Sequence, residues 1–365
     1  MKFCALDIFL DPSILSIGES LTHLGECPFS GRLNEPLIPL SFLGEILENL
    51  FSLYRLAENE NEGIDLIDHA LAYWPGLIDL TKIQKSILPF LFEQLFEDYG
   101  NLDTDLINKK VVFLPHADKF NQDFESDLNT RWEKLSYELK YQNRFFLSEE
   151  LDWDSIRTTL ELLVRTHVKG NRYYRARISE DSIDSSEMGK PPKEKASAGR
   201  ANPLGIPYLY LATDQETTYY ESRAGLHEQI YLGEFEAKEN LNVVSLERIE
   251  FLGPVEIQEL GFDLEEFIRF RGFLMKLSQE LSKPIRKKDS DFDYLPTQYL
   301  CEYIKSVLGF DGVQYQSAMN PSGSNLAIFN DHKVECIGVK VLKVDEVIYQ
   351  VSEREETADE GLNVS

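Results

Sequence analysis

Apolar positions recur at helical spacing through the first half of the chain. Phe42, Ile46, Leu50 and Leu53 fall on one face of a helix, with acids on the other. The same spacing returns in 64–72, 82–99, 129–138 and 154–168, so residues 41–168 predict a helical N-terminal domain. Trp132, Trp153 and the pair Phe145-Phe146 read as its core and interface aromatics, and the scattered His69, His116 and His167 define no metal site. Residues 1–40 carry Pro12, Pro28, Pro36 and Pro39 and predict an irregular segment.

At Asn171 the pattern changes. RYYRARI (172–178) alternates as a strand does, and residues 182–200 are polar, Pro-containing and locally basic, which predicts a flexible loop. YLYLAT (208–213) reads as a strand bounded by Pro207 and Asp214. Thr213 to Glu216 fits a capping box, with Thr213 as N-cap of a helix over 214–223. Further strands are expected at 229–235, 242–245, 313–317, 325–329 and 334–344, and helices at 263–282 and 297–307. A basic run, Arg286-Lys287-Lys288, follows Pro284, and residues 353–365 predict an acidic, disordered tail. The fold class is α+β: a helical N-terminal domain followed by a compact α+β domain over 170–350.

Charge narrows the ligands. Asp and Glu number 63 against 37 Lys and Arg, a formal net charge of -26. Such a chain is unsuited to nucleic acid or anionic membranes, and any anionic ligand needs a local cluster of cations. Lys190, Lys193, Lys195 and Arg200 form one such cluster in the 182–200 loop, a solubilising loop on one reading and a mobile cover over an anion on another. Four cysteines make no disulfide framework, and no signal peptide or membrane-spanning apolar run is read, so a reducing cytoplasm is expected. Cys4-Ala-Leu-Asp7 and Cys27-Pro-Phe-Ser30 have the spacing of a zinc ribbon, but Asp7 and Ser30 replace the second cysteine of each knuckle. The expectation is a degenerate ribbon without bound zinc.

The stretch GRANPLGIPYLYLATDQETTYYE (199–221) reads as loop, strand, turn and helix, and delivers Arg200, Tyr210 and Glu221 on rigid elements. Taken alone it is an ordinary strand–helix unit with a solvated Arg and Glu. Arg175 and Arg177 share one face of the preceding strand, and by themselves read as a surface pair.

The ordered set is more specific. YRAR, GRANPLGIPYLYLA, Glu221, Thr297-Gln298 and GFDGVQYQSAMNPSGSNLAIF occur in that sequence, and together they resemble the RES domain over 170–345. The resemblance implies a fold similar to the ADP-ribosyltransferase toxins. It implies degradation of NAD+ at the nicotinamide–ribose bond by phosphorolysis or hydrolysis, with NAD+ as substrate, no cofactor, and phosphate as a second substrate in the first case. It also implies a toxin held by a partner antitoxin or regulatory protein, with a homo-oligomer left open. Carried over by position, Glu221, Arg175 and Ser317 are the catalytic set, and Arg200, Tyr210, Tyr174, Arg177 and Asn325 bind substrate. Ala201 departs from the pattern, since many members have an aromatic after Gly-Arg. The chemistry suits these residue types. Arginine forks grip phosphate oxygens. A carboxylate stabilises an oxocarbenium-like sugar, and nicotinamide leaves neutral, so no general acid is required. Two rivals stay open: transfer of ADP-ribose to a macromolecule, and a non-catalytic nucleotide-binding module.

Overall fold

The computed structural model describes residues 2–348 apart from 60, 62, 118, 149–150 and 284–289. The tail at 353–365 and the basic run at 286–288 lie outside the described residues.

The first forty residues are more ordered than their prolines suggest. Strands β1 (Phe3–Ala5), β2 (His23–Gly25) and β3 (Glu35–Pro39) form an antiparallel sheet in the order β1-β3-β2. Pro36 and Pro39 lie in the central strand, but each stands opposite one neighbour only, Leu24 of β2 and Phe3 of β1 respectively. Helix α1 (Pro12–Glu19) opens with Pro12, and the Asp11 carboxylate accepts the amides of Ser13 (2.9 Å) and Ile14 (3.4 Å). Cys4 and Cys27 are fully buried, and the Ala5 amide donates to the Cys27 sulfur. At the other two knuckle positions stands a guanidinium: Arg32 donates to both Asp7 carboxylate oxygens (2.7 and 2.5 Å) and to the Ser30 hydroxyl (3.2 Å). Among the described residues no group of three or more His, Cys, Asp or Glu could hold a metal ion.

The helical region contains α2 (Leu40–Phe51), α3 (Leu66–Tyr73), α4 (Leu88–Tyr99), the one-turn helices α5 (Asp105–Asn108) and α6 (Leu114–Ala117), α7 (Lys119–Tyr141) and α8 (Trp153–Leu162). A small antiparallel pair, β4 (Tyr54–Leu56) with β5 (Val111–Phe113), joins the segment after α2 to the segment before α6. The helix expected across 154–168 stops early. Residues Val164–His167 instead form strand β6, paired antiparallel with a strand 76 positions later, as the Thr166–Asn242 hydrogen bond marks. The β-branched Val164 and Thr166 suit that edge position.

Strand β6 is the outermost member of an eight-stranded sheet. The others are β7 (Arg172–Ile178), β8 (Leu209–Ala212), β9 (Gln229–Ala237), β10 (Leu241–Ser245), β11 (Gly312–Gln316), β12 (Ser324–Ile328) and β13 (Val334–Lys343). Their spatial order is β13-β9-β7-β8-β12-β11-β10-β6, antiparallel throughout except for the parallel pair β10–β11. Around them stand α9 (Gln215–Ser222), α10 (Pro254–Glu259), α11 (Leu264–Ser282), α12 (Ser290–Asp293) and α13 (Leu295–Ser306).

Period-2 alternation divides the sheet between two cores. Leu209, Leu211, Tyr231, Phe235, Leu326 and Ile328 belong to a smaller cluster on one face. Tyr208, Tyr315 and Ala327 join a large cluster on the other, which runs unbroken from Cys4 to Phe329. Helix α11 lies inside that large core, with Phe267, Phe270, Phe273, Leu274, Leu277 and Leu281 buried. Its neighbours come from the helical half: Trp132 meets Phe273 edge-on at 5.8 Å, Phe124 meets Phe270 at 5.2 Å, and the Arg271 guanidinium stands 4.2 Å from the Tyr73 ring centre. No helix among the described residues is long and apolar enough to cross a membrane.

Candidate active site

The sheet has a seam. Strand β7 pairs with β9 along seven residues, but it meets β8 at one pair only, Tyr174 with Ala212. Where two neighbouring strands part, the ladder opens and a ligand can reach between them. A cleft of about 360 Å³ lies there. Tyr174, Arg175 and Ala176 line it from β7, Tyr210 to Ala212 from β8, and Thr218, Glu221 and Ser222 from α9. Continuing the register across the sheet, Tyr174, Ala212, Asn325 and Tyr315 form one cross-strand row, and all four line the cleft.

Glu221 is delivered by α9. The helix begins one residue later than the capping-box reading, with Asp214 rather than Thr213 as N-cap: the Asp214 carboxylate accepts the Thr217 amide (2.8 Å) and hydroxyl (2.7 Å). Thr213 is unavailable because its own amide extends the sheet ladder to the Ser324 carbonyl (3.1 Å). Seven residues after the N-cap, Glu221 reaches the cleft. Its Oε1 accepts two hydrogen bonds, from the Ser317 hydroxyl (2.6 Å) and the Asn325 amide (2.7 Å). Ser317 must be the donor, since its oxygen already accepts the amides of Met319 and Asn320 (3.1 Å each). One carboxylate oxygen is thus anchored, and the residue as a whole remains exposed at the cleft. Ser317 itself is buried at 3% exposure, so it acts through Glu221.

The turn that aims Ser317 is closed by Gly323. A Cβ there would stand 1.8 Å from the Thr217 hydroxyl, so only glycine lets the turn pack on the first turn of α9. Asn320 completes the contact by donating to the same hydroxyl (2.9 Å).

Arg175 lines the same cleft from β7. Its Nη1 is closed off from solvent and has no hydrogen-bond partner among the described residues. Burial, then the nearby Arg177, push its pKa down to about 10, so it stays charged at neutral pH. Arg177 does not line the cleft; it turns to the carbonyl of Glu187.

Arg200 enters from the opposite wall. Its Nη1 donates to the Leu281 carbonyl at the end of α11 (2.8 Å). The backbone around it is held from three sides. Gln298 donates to the Gly199 carbonyl (2.8 Å), and Thr297 donates to the Arg200 carbonyl (2.7 Å). The Tyr210 hydroxyl accepts the Ala201 amide (3.2 Å) and donates to Asn202 Oδ1 (2.7 Å). Tyr210, expected to bind substrate, therefore lines the cleft with its ring while its hydroxyl holds the loop. Ala201, with no side chain to spare for a wall, is fully buried beneath.

The 182–200 loop is tied down rather than free. Met188 is fully buried over Gly233, where a Cβ would come within 2.8 Å of its methyl, and Lys190 pairs with Asp331 (2.7 Å). Of the loop's four cations, only Arg200 lines the cleft. Among the lining residues that the sequence did not single out are two tyrosines, Tyr294 and Tyr315. Tyr315 lies two positions before Ser317 on an alternating strand, a signal that was available. Tyr294 precedes Thr297-Gln298, and nothing local distinguishes it from a core aromatic.

The site is a split-sheet cleft in an α+β domain, lined by an anchored carboxylate and two arginines. Residues 172–351 match the RES domain. The C-terminal half of the chain therefore belongs to the RES-domain family. Among solved structures, a chain of the M. tuberculosis MbcT-MbcA toxin-antitoxin complex is similar at 13% identity and a TM-score of 0.28, covering 52% of this chain and 92% of that one. No curated protein matches.

Proposed function

We propose that the cleft binds NAD+ and breaks the bond between nicotinamide and ribose. The observation that carries this reading is Arg175: its Nη1 is closed off from solvent and unpaired, in a chain of net charge -26, and it lines the same cleft as the anchored Glu221. A buried donor left unpaired costs about 1–3 kcal/mol, so the site suits an anion that arrives with the ligand. On this reading Arg175 and Arg200 take the diphosphate, and the unanchored oxygen of Glu221 faces the ribose C1′. The C1′–N bond breaks with its electron pair going to the ring, so nicotinamide departs neutral. A new C1′–O bond forms to water or phosphate. Water's proton passes to Glu221 or to solvent. Tyr174 and Tyr210 provide aromatic surface along the cleft. Ser317 and Asn325 hold Glu221 in place, which extends the substrate-binding role first given to Asn325. Family membership supports a toxin-like use of this activity, restrained by a protein partner.

The test is NMR of NAD+ incubated with the purified protein, with and without phosphate. Free nicotinamide is expected, and phosphate dependence distinguishes the acceptors. Glu221→Gln should lower release by at least about 100-fold with the fold intact, the usual scale for removing one preorganised electrostatic group. Unchanged release in that variant would refute the assignment. Label from the adenylate half of NAD+ ending on a macromolecule would replace cleavage by transfer.

A further inference from the structure

The Arg200 arm of the cleft is held by elements that are themselves held from the first half of the chain. Arg200 donates to the Leu281 carbonyl (2.8 Å), one residue after Glu280. Both oxygens of Glu280 accept the indole N–H of Trp132 (3.1 Å each), 148 positions earlier in α7. Trp132 is 1% exposed and packs edge-on against Phe273 of α11. Lys276, one turn before Glu280, pairs with Glu133 of α7 (2.8 Å). The other clamp on the turn comes from α13, through Thr297 and Gln298. That helix also meets the first half, since the Tyr303 hydroxyl donates to the Trp153 carbonyl (3.0 Å) and their rings lie 4.4 Å apart.

We infer that Trp132 and Glu280 are positioning residues: through the last turn of α11 they set the Arg200 guanidinium and the Gly199–Asn202 turn. Glu280 is an unusual choice for a helix C-terminus, where a carboxylate meets the negative end of the dipole. Its burial raises its pKa, and the indole donor is the hydrogen bond that offsets this. Removing the donor leaves a poorly paired carboxylate one residue from the carbonyl that Arg200 uses. The helical half is then part of the ligand-binding arm rather than a separate attachment. The consequence for turnover rests on the NAD+ reading; the consequence for the turn does not.

The experiment therefore has two readouts on the full chain. Trp132→Phe keeps an aromatic ring but removes the N–H together with part of the buried indole volume, so Glu280→Met is the arm that tests the hydrogen bond without emptying the core. Glu280→Met keeps the bulk and removes the acceptor, whereas Glu280→Gln keeps an acceptor oxygen. Leu91→Val, in the α2–α4 packing remote from α11, serves as a control for general destabilisation. Hydrogen exchange of peptides covering 197–204 is followed without ligand, because the Gly199 amide is bonded to the Asn202 carbonyl (2.9 Å) and the Ala201 amide to the Tyr210 hydroxyl (3.2 Å). Exchange there should quicken about threefold or more in Trp132→Phe and Glu280→Met, and stay near the parent in Glu280→Gln and Leu91→Val. In the NAD+ assay the first two variants should raise KM about 3- to 10-fold with kcat little changed, the scale of one weakened charge-assisted hydrogen bond. Unaltered exchange in 197–204 for both variants would overturn the inference. Faster exchange in a protein that releases no nicotinamide would keep the relay and discard the NAD+ reading.

Discussion

Arg175 is placed at a cost to the fold. Its Nη1 is shut off from water and has found no acceptor, and the neighbouring Arg177 charge is unfavourable. Removing such a group by a side chain of similar length should stabilise the protein while it disables the site. Arg175→Met is expected to gain about 1–3 kcal/mol, or roughly 2–8 °C in Tm for a chain of this size. NAD+ should raise the Tm of the parent and leave that of the variant unchanged. Thermal melts with and without NAD+ check both statements, and a variant that melts lower yet still turns over would contradict them. Ser317 works in a different way. It offers no group to substrate that is not already committed, so Ser317→Ala removes one of two anchors from Glu221 and frees two backbone amides. The loss should fall on kcat, by about 10- to 100-fold, with KM altered less than about threefold. Steady-state kinetics would speak against this role if KM rose instead. Asn325→Ala, which removes the other anchor, should behave alike.

Among the elements, the pairing of α1 with α10 offers the sharpest stability test. Asp11 is fully buried, and one carboxylate caps both helices: Oδ1 takes the amides of Ser13 and Ile14, and Oδ2 those of Val255 (2.9 Å) and Glu256 (3.2 Å). Gly253 admits it, since a Cβ there would lie 2.0 Å from Oδ2. Asp11→Ala uncaps two helices at once and should cost about 2–4 kcal/mol, twice the loss for an ordinary cap. Asp79, which receives only the amide and hydroxyl of exposed Thr81, is the comparison. Equal losses in denaturant melts of Asp11→Ala and Asp79→Ala would deny the double cap. No sequence rule reveals this link, because the partners lie 244 positions apart. The same limit explains β6 and the first sheet. Three- and four-residue strands carry too little alternation to declare themselves, and what makes them strands is a neighbour far along the chain. Other strands were legible from apolar content and alternation: YLYLAT and NLAIF send successive residues to opposite cores, RYYRARI alternates over seven residues, and α11 showed its apolar character plainly. At the site, the identities of Arg175, Arg200 and Glu221 could be read from ordered motifs. The anchoring of Glu221 by Asn325, and the use of the Tyr210 hydroxyl to hold a loop, depend on register and could not.

At the scale of the whole molecule, the cleft and the surface oppose one another. Acids outnumber bases 63 to 37, so at low salt an approaching anion meets a repulsive field. Inside the cleft it meets Arg175, which is buried and therefore little affected by dissolved ions. Salt should act mainly on the approach and not on the grip. The screening length shortens from about 30 Å at 0.01 M to about 8 Å at 0.15 M, which removes most of the long-range repulsion and leaves contacts within the cleft nearly intact. For NAD+, whose net charge is negative, kcat/KM should rise about twofold over that interval while kcat stays constant. Nicotinamide riboside carries the cationic ring without phosphates, so the same field attracts it, and its kcat/KM should fall. Opposite slopes for the two substrates across a KCl series would locate the repulsion on the surface and the attraction in the cleft. A fall for NAD+ as well would mean that Lys193 and Lys195, exposed beside the Arg200 turn, govern the approach in place of the surrounding carboxylates.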